Sequence, residues 1–296
     1  MDVEKLYQAA VRDSRDGRFD AAEKKLLRLT KTQLNDQATG SVHRLLGMVY
    51  ASSKKYTDAV RSFEIAASKI RDDASILINL CNCLTLTDQP DAAVSAGKAA
   101  IILAPKEPDA QYNLANALKQ SGDLDQALEH YRITTELAPD MAPAHNSRGG
   151  VQRSLGDLDG AISSFRKALE ISPNYAIAHS NLGTVLRNAG KPDEAVACYN
   201  RAISIRPGMA VFQNNLGQAY RDLGDLNQAI ASFEEALRLR PGYKAVIAQI
   251  GHAYRDMGEH DKAIENYDIA DTEIAQAEAL RCLFAFRQIR GTFPAG

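Results

Sequence analysis

The sequence predicts an all-α fold, a right-handed superhelical solenoid of about eight 34-residue helix-turn-helix repeats with a C-terminal cap helix, and three observations carry that reading. Pro105, Pro139, Pro173, Pro207 and Pro241 each lie 34 residues from the next. Small residues and a single aromatic recur at fixed places between them. A glycine, often followed by aspartate, recurs midway. Self-similarity at this period means a stack of one supersecondary unit, each copy burying its apolar face against its neighbours.

Registered on those prolines, units begin at Gly40, Ala74, Pro108, Ala142, Ala176, Ala210 and Lys244, and positions are counted from one within each. Position 8 is small throughout: Gly47, Cys81, Ala115, Gly149, Gly183, Gly217, Gly251. Position 20 is always alanine, from Ala59 and Ala93 to Ala263, and position 24 is aromatic in Phe63, Tyr131, Phe165, Tyr199, Phe233 and Tyr267. Small residues let two helices approach closely, and the aromatic fills the remaining gap. Gly122, Gly156, Gly190, Gly224 and Gly258 at position 15 end the first helix, and Asp123, Asp157 and Asp225 can cap the second. In this pattern the chain resembles the tetratricopeptide repeat family over roughly residues 3 to 277.

The expected organisation is an N-terminal capping unit over 1–39, a seven-repeat array over 40–277, and a C-terminal cap helix and tail over 278–296. In the first unit Gly17, Ala22 and Leu26 fit positions 15, 20 and 24 if it starts at Val3, leaving Gln37 to Thr39 as extra residues before Gly40. Asp13 stands where later units carry Leu or Tyr, as expected of a terminal repeat with one face toward water. The 3.6-residue alternation of Ala21 to Leu34 marks the second helix. Pro90 and Pro192 fall at helix starts, where the missing amide costs nothing. Gly97 replaces the aromatic in the unit from Ala74, so that joint is expected to be loose. The unit from Ala142 carries Arg148 at a leucine position, Gln152 at another and Gly149-Gly150 between, which suggests a snorkelling arginine, a ligand contact or a hinge. Leu280, Leu283, Phe284 and Phe286 share an apolar face in the segment from Ala277 to Arg290, expected to cap the array or to dock a further domain or second copy. Gly291 to Gly296 reads as a frayed tail or the cut end of a longer protein.

Thirty-five basic against 37 acidic residues leave a net charge of −2, which argues against nucleic-acid or anionic-membrane binding. No apolar run reaches membrane-spanning length, the start MDVEKLYQAA shows no signal segment, and a cytoplasmic address is expected. Cys81, Cys83, Cys198 and Cys282 have neither a disulfide framework nor zinc spacing and read as buried thiols. There is no GxSxG, HExxH or GxxxxGK[ST] motif, so no enzyme activity, cofactor or metal is expected. His43, His145 and His179 at position 4 read as packing residues.

With positions 4, 7, 8 and 11 facing inward, positions 2, 5, 6, 9, 12 and 13 form another face of each first helix. Position 6 reads Asn79, Asn113, Ser147, Asn181, Asn215 and Gln249, and position 12 reads Lys119, Arg153, Arg187, Arg221 and Arg255. Asn116 shares the face. A carboxamide offers a donor and an acceptor and so can hold peptide backbone of any sequence, while cations beside it favour acidic or phosphorylated partners. Units such as AHSNLGTVL and FQNNLGQAY are similar to those in the superhelical repeat region of O-linked N-acetylglucosamine transferases and of bacterial repeat-transferase fusions. That resemblance implies backbone-holding roles for Asn79, Asn113, Asn181 and Asn215, with Ser147 and Gln249 interrupting the ladder. The expected function is a scaffold binding a protein or peptide, acidic by preference, along the groove. Two alternatives are the substrate-recruiting region of a larger glycosyl- or sulfotransferase, and a structural protein that self-assembles through the C-terminal helix. Single-stranded RNA binding is disfavoured, because Tyr112 is nearly the sole stacking aromatic.

Overall fold

A computed structural model describes residues 2–270 and 276–282, which form two compact units divided between Leu155 and Gly156. The first unit holds α1 (Val3–Arg15), α2 (Phe19–Leu29), α3 (Asp36–Ser52), α4 (Tyr56–Lys69), α5 (Ala74–Leu86), α6 (Pro90–Leu103), α7 (Pro108–Ser121), α8 (Leu124–Leu137) and α9 (Ala142–Ser154). The second holds α10 (Leu158–Ile171), α11 (Ala176–Asn188), α12 (Pro192–Ile205), α13 (Ala210–Asp222), α14 (Leu226–Leu239), α15 (Lys244–Asp256) and α16 (His260–Ala270), and 276–282 is helical. No strand occurs among the described residues. Within each unit a helix packs on the next, and alternate helices also touch, as α5 with α7 and α11 with α13. The molecule is an all-α repeat solenoid. The division falls inside the repeat from Ala142, the one whose first helix departs most from the pattern.

The core follows the repeat. Every alanine at position 20 and every aromatic at position 24 is 0% exposed. A Cβ added at Gly217 would stand 2.6 Å from the Phe233 ring, and one at Gly183 2.9 Å from Tyr199, so glycine at position 8 is what lets the ring sit against the helix. The buried stripe is wider than expected: position 3 (Val42, Ile76, Ala110, Ala144, Ala178, Phe212, Val246) and position 10 (Val49 through Ala253) are buried in every unit. Within a unit a first helix packs both against its own second helix and against the preceding hairpin, as α7 does against α8 and α6, which needs two apolar flanks.

The turns keep one conformation whatever the residue. Glycine at position 15 is left-handed, for example φ +89° at Gly122 and +79° at Gly224. Lys54 and Asp88 at the same position adopt φ +60° and +58°. Asp123, Asp157 and Asp225 accept from the backbone amides of Gln126, Gly160 and Gln228 at 3.2, 2.9 and 3.2 Å, capping their helices.

Four expectations change. Helix α2 stops at Leu29 instead of Leu34, because the hydroxyls of Thr30 and Thr32 donate to the carbonyls of Leu27 and Leu29 at 3.0 and 2.7 Å. Asn35 then caps Ala38 at 2.8 Å, and Gln37 to Thr39 form an added turn of the 17-residue α3. Asp13 does not face water. It is 7% exposed and lies between Arg18, whose Nη2 is 2.7 Å away, and Lys25; hydrogen bonds from Lys25 and then Arg18 hold its carboxyl below the ordinary range. The joint at Gly97 is filled: an added Cβ would lie 3.0 Å from Leu114 and 3.1 Å from the Cys81 sulfur, which occupy the missing ring's space.

At the C-terminal end Ala279 and Cys282 are buried in the cluster containing Ala263, Tyr267 and Ala270, as a capping segment requires. Leu280, expected on the same apolar face, is 58% exposed. Leu283, Phe284, Phe286 and Gly291 to Gly296 lie outside the described residues.

Candidate partner-binding face

The candidate residues stand on the first helices of the hairpins, and their partners show which side chains the fold already uses. In the first unit Asn113 donates from Nδ2 to the carbonyl of Ile78 at 3.2 Å, and Tyr112 Oη lies 3.3 Å from Ser147 Oγ. In the second, Asn215 Nδ2 donates to Ser180 Oγ at 3.4 Å. Each contact joins position 5 of one repeat to position 6 of the next. The amide ladder is therefore partly a seam between neighbours. Asn79 instead donates to Ser75 O, one turn back in its own helix, at 2.8 Å. Asn79, Asn113, Asn181 and Asn215 are all half-buried. The oxygens of Asn79 and Asn113 accept no hydrogen bond from the described residues.

Asn116 serves its own hairpin: the Tyr131 hydroxyl donates to its Oδ1 at 2.5 Å. Tyr199 donates to Thr184 Oγ1 at 3.1 Å, and Tyr267 Oη pairs with His252 Nδ1 at 2.8 Å. In these three hairpins the tyrosine at position 24 thus pairs with a polar residue at position 9.

The cationic column divides by unit. In the second unit Arg187 donates to Gln218 Oε1 and lies 3.6 Å from Asp222. Arg221 donates to Gln249 Oε1 at 2.8 Å and lies 3.2 Å from Asp256. Arg255 meets Asp256 at 3.1 Å and Glu278 at 2.6 Å. A shallow polar cleft runs past Arg187, Arg221, Asp222 and Gln249. Its charges compensate one another, so these arginines offer little net attraction to an acidic ligand. In the first unit Lys119 and Arg153 pair with no carboxylate among the described residues. Lys119 is exposed as a residue, but the protein around it lowers the ammonium pKa by desolvation.

Position 4 has a purpose that periodicity alone did not show. Gln111 Nε2 donates to the Pro105 carbonyl at 3.0 Å, and His145 and His179 bring Nε2 to the carbonyls of Pro139 and Pro173 at 3.0 and 2.9 Å. A carbonyl only accepts, so both imidazoles carry the proton on Nε2. His130 Nδ1 meets Gln111 Oε1 at 2.7 Å, extending the first of these links to α8, and its burial lowers its pKa. His43 is also lowered by burial. No group of three or more metal-ligating side chains occurs among the described residues. Burial pushes the thiols of Cys81 up to about 12 and of Cys83 and Cys198 to about 11, so they stay protonated. Arg148 extends Nη1 toward Thr135 Oγ1 at 3.4 Å, while its Nε is buried without a hydrogen-bond partner. No described helix is long and apolar enough to cross a membrane.

Repeated hairpins with a small-residue and aromatic core, left-handed turns and a polar first-helix face define a helical-repeat interaction protein. Profiles of the tetratricopeptide repeat match residues 7–75, 84–142 and 112–176, residues 175–242 and residues 220–280, and the chain belongs to that family. Among solved structures it is similar to MamA protein, at 22% identity and TM-score 0.51 over 58% of this chain and 94% of that one. It is also similar to a chain of the APC/C hetero-tetramer Cut9-Hcn1, at 17% identity and TM-score 0.68 over 89% of this chain and 52% of that one. At these identities the likeness is one of fold. No curated protein sequence matches the chain.

Proposed function

We propose that the protein binds an extended segment of a protein partner along the groove lined by its first helices. Tetratricopeptide repeats mediate protein–protein interactions and scaffolding; the finer assignment rests on the half-buried carboxamides at position 6. The open acceptors of Asn79 and Asn113 match peptide N–H groups, and an extended chain advances about 3.3 Å per residue, so rungs one helix apart meet it about every third residue. Such contacts read backbone, so the groove tolerates varied side chains.

Removing the asparagines is an ambiguous test, because Asn113 and Asn215 also hold the preceding repeat. Gly150 gives a cleaner one. A Cβ there would meet nothing within 4 Å, so Gly150→Trp should plug the face without straining the helix, which also gains from losing a glycine. Affinity capture with wild type and with this variant, both shown folded by circular dichroism, is expected to lose its partners in the variant. Partners held equally by both would transfer binding to the second-helix surface.

A further inference from the structure

We infer that Lys119 and Arg153 form an anionic-residue subsite, which takes an Asp or Glu side chain of the extended segment and so sets where the partner lies in the groove. The inference rests on the groove reading and deepens it. Five cations occupy position 12, yet Arg187, Arg221 and Arg255 already lie within 3.6, 3.2 and 2.6 Å of carboxylates. Position 13, which supplies two of those carboxylates, bears none before Asp222. Asp88, at the turn of the preceding repeat, is engaged by Gln120 Nε2 at 2.8 Å. Two cations without a carboxylate partner among the described residues thus stand at position 12 of successive repeats, on α7 and α9, which the Tyr112 Oη–Ser147 Oγ contact joins at 3.3 Å. An acidic side chain of an extended segment passing these repeats can pair with either. Desolvation of the Lys119 ammonium makes an incoming carboxylate more valuable there than at an open surface.

The test is selection from a displayed library of random 12-residue peptides on the full chain. Enrichment of Asp or Glu is expected, with affinity falling by about ten-fold or more in Lys119→Gln/Arg153→Gln. Arg187→Gln/Arg221→Gln should change it less than about three-fold. Lys119→Arg, which keeps the charge, should retain binding and so separates lost charge from lost folding. Enriched peptides that are blocked by Gly150→Trp but carry no acidic residue, or that ignore Lys119→Gln/Arg153→Gln, would overturn the subsite and leave the groove standing. Peptides indifferent to Gly150→Trp would overturn both. A single-stranded RNA 12-mer displacing the peptides at lower concentration would overturn the assignment to a protein segment.

Discussion

A side-chain pairing and a turn conformation each bear on how tightly a hairpin closes. The buried hydroxyl of Tyr199 has Thr184 as its partner, and Tyr199→Phe would remove that bond while leaving the ring in place. The expected cost is about 1 kcal/mol, read as faster hydrogen exchange in α11 and α12 with no change in the first unit. The turns point the other way. Lys54 pays for a left-handed backbone that glycine adopts freely, so Lys54→Gly should stabilise the α3–α4 hairpin by about 1 kcal/mol. Local exchange protection around α3 would report it, and no gain would mean that Lys54 contributes a compensating contact.

At the scale of elements, the joint between α5 and α6 shows why a family pattern misleads when read one column at a time. Restoring an aromatic by Gly97→Phe looks stabilising from the repeat alone. Cys81 and Leu114 already fill that space, so the substitution should cost about 1 to 3 kcal/mol. Adding Cys81→Gly should recover part of the loss, as a double-mutant cycle would show. The α1–α2 hairpin is expected to be acid-sensitive. The folded carboxyl of Asp13 titrates below its unfolded value, so its contribution is complete above the ordinary carboxylate pKa of about 4 and is lost as pH falls through the lower folded value. Exchange protection in α1 and α2 should therefore fall as the pH drops below the ordinary carboxylate range, and Asp13→Asn should flatten that dependence.

For the whole molecule, stability is a sum over hairpins and their neighbours, so each of these substitutions should act locally and broaden the unfolding transition. The Arg–carboxylate column in the second unit joins successive repeats with partly exposed pairs. Raising salt should weaken them only modestly, by well under about 1 kcal/mol each, and Arg221→Gln should reduce the salt dependence of α13 and α15 protection. Unchanged salt dependence would mean that packing alone holds these repeats in register.

Periodicity by itself determined the fold, the order of the hairpins and the Asp caps. These depend on local propensity and on a spacing copied many times. Tertiary structure decided what that spacing could not encode: that Asn113 and Asn215 bond the preceding repeat, that Asn116 belongs to Tyr131, and that Asp13 is a buried ion-paired group. It also separated five similar cations into three compensated and two without a carboxylate partner among the described residues. The physical reason is that a side chain's role depends on what stands opposite it. In a stack, that residue lies on another helix or in the neighbouring repeat, where no local pattern records the pairing.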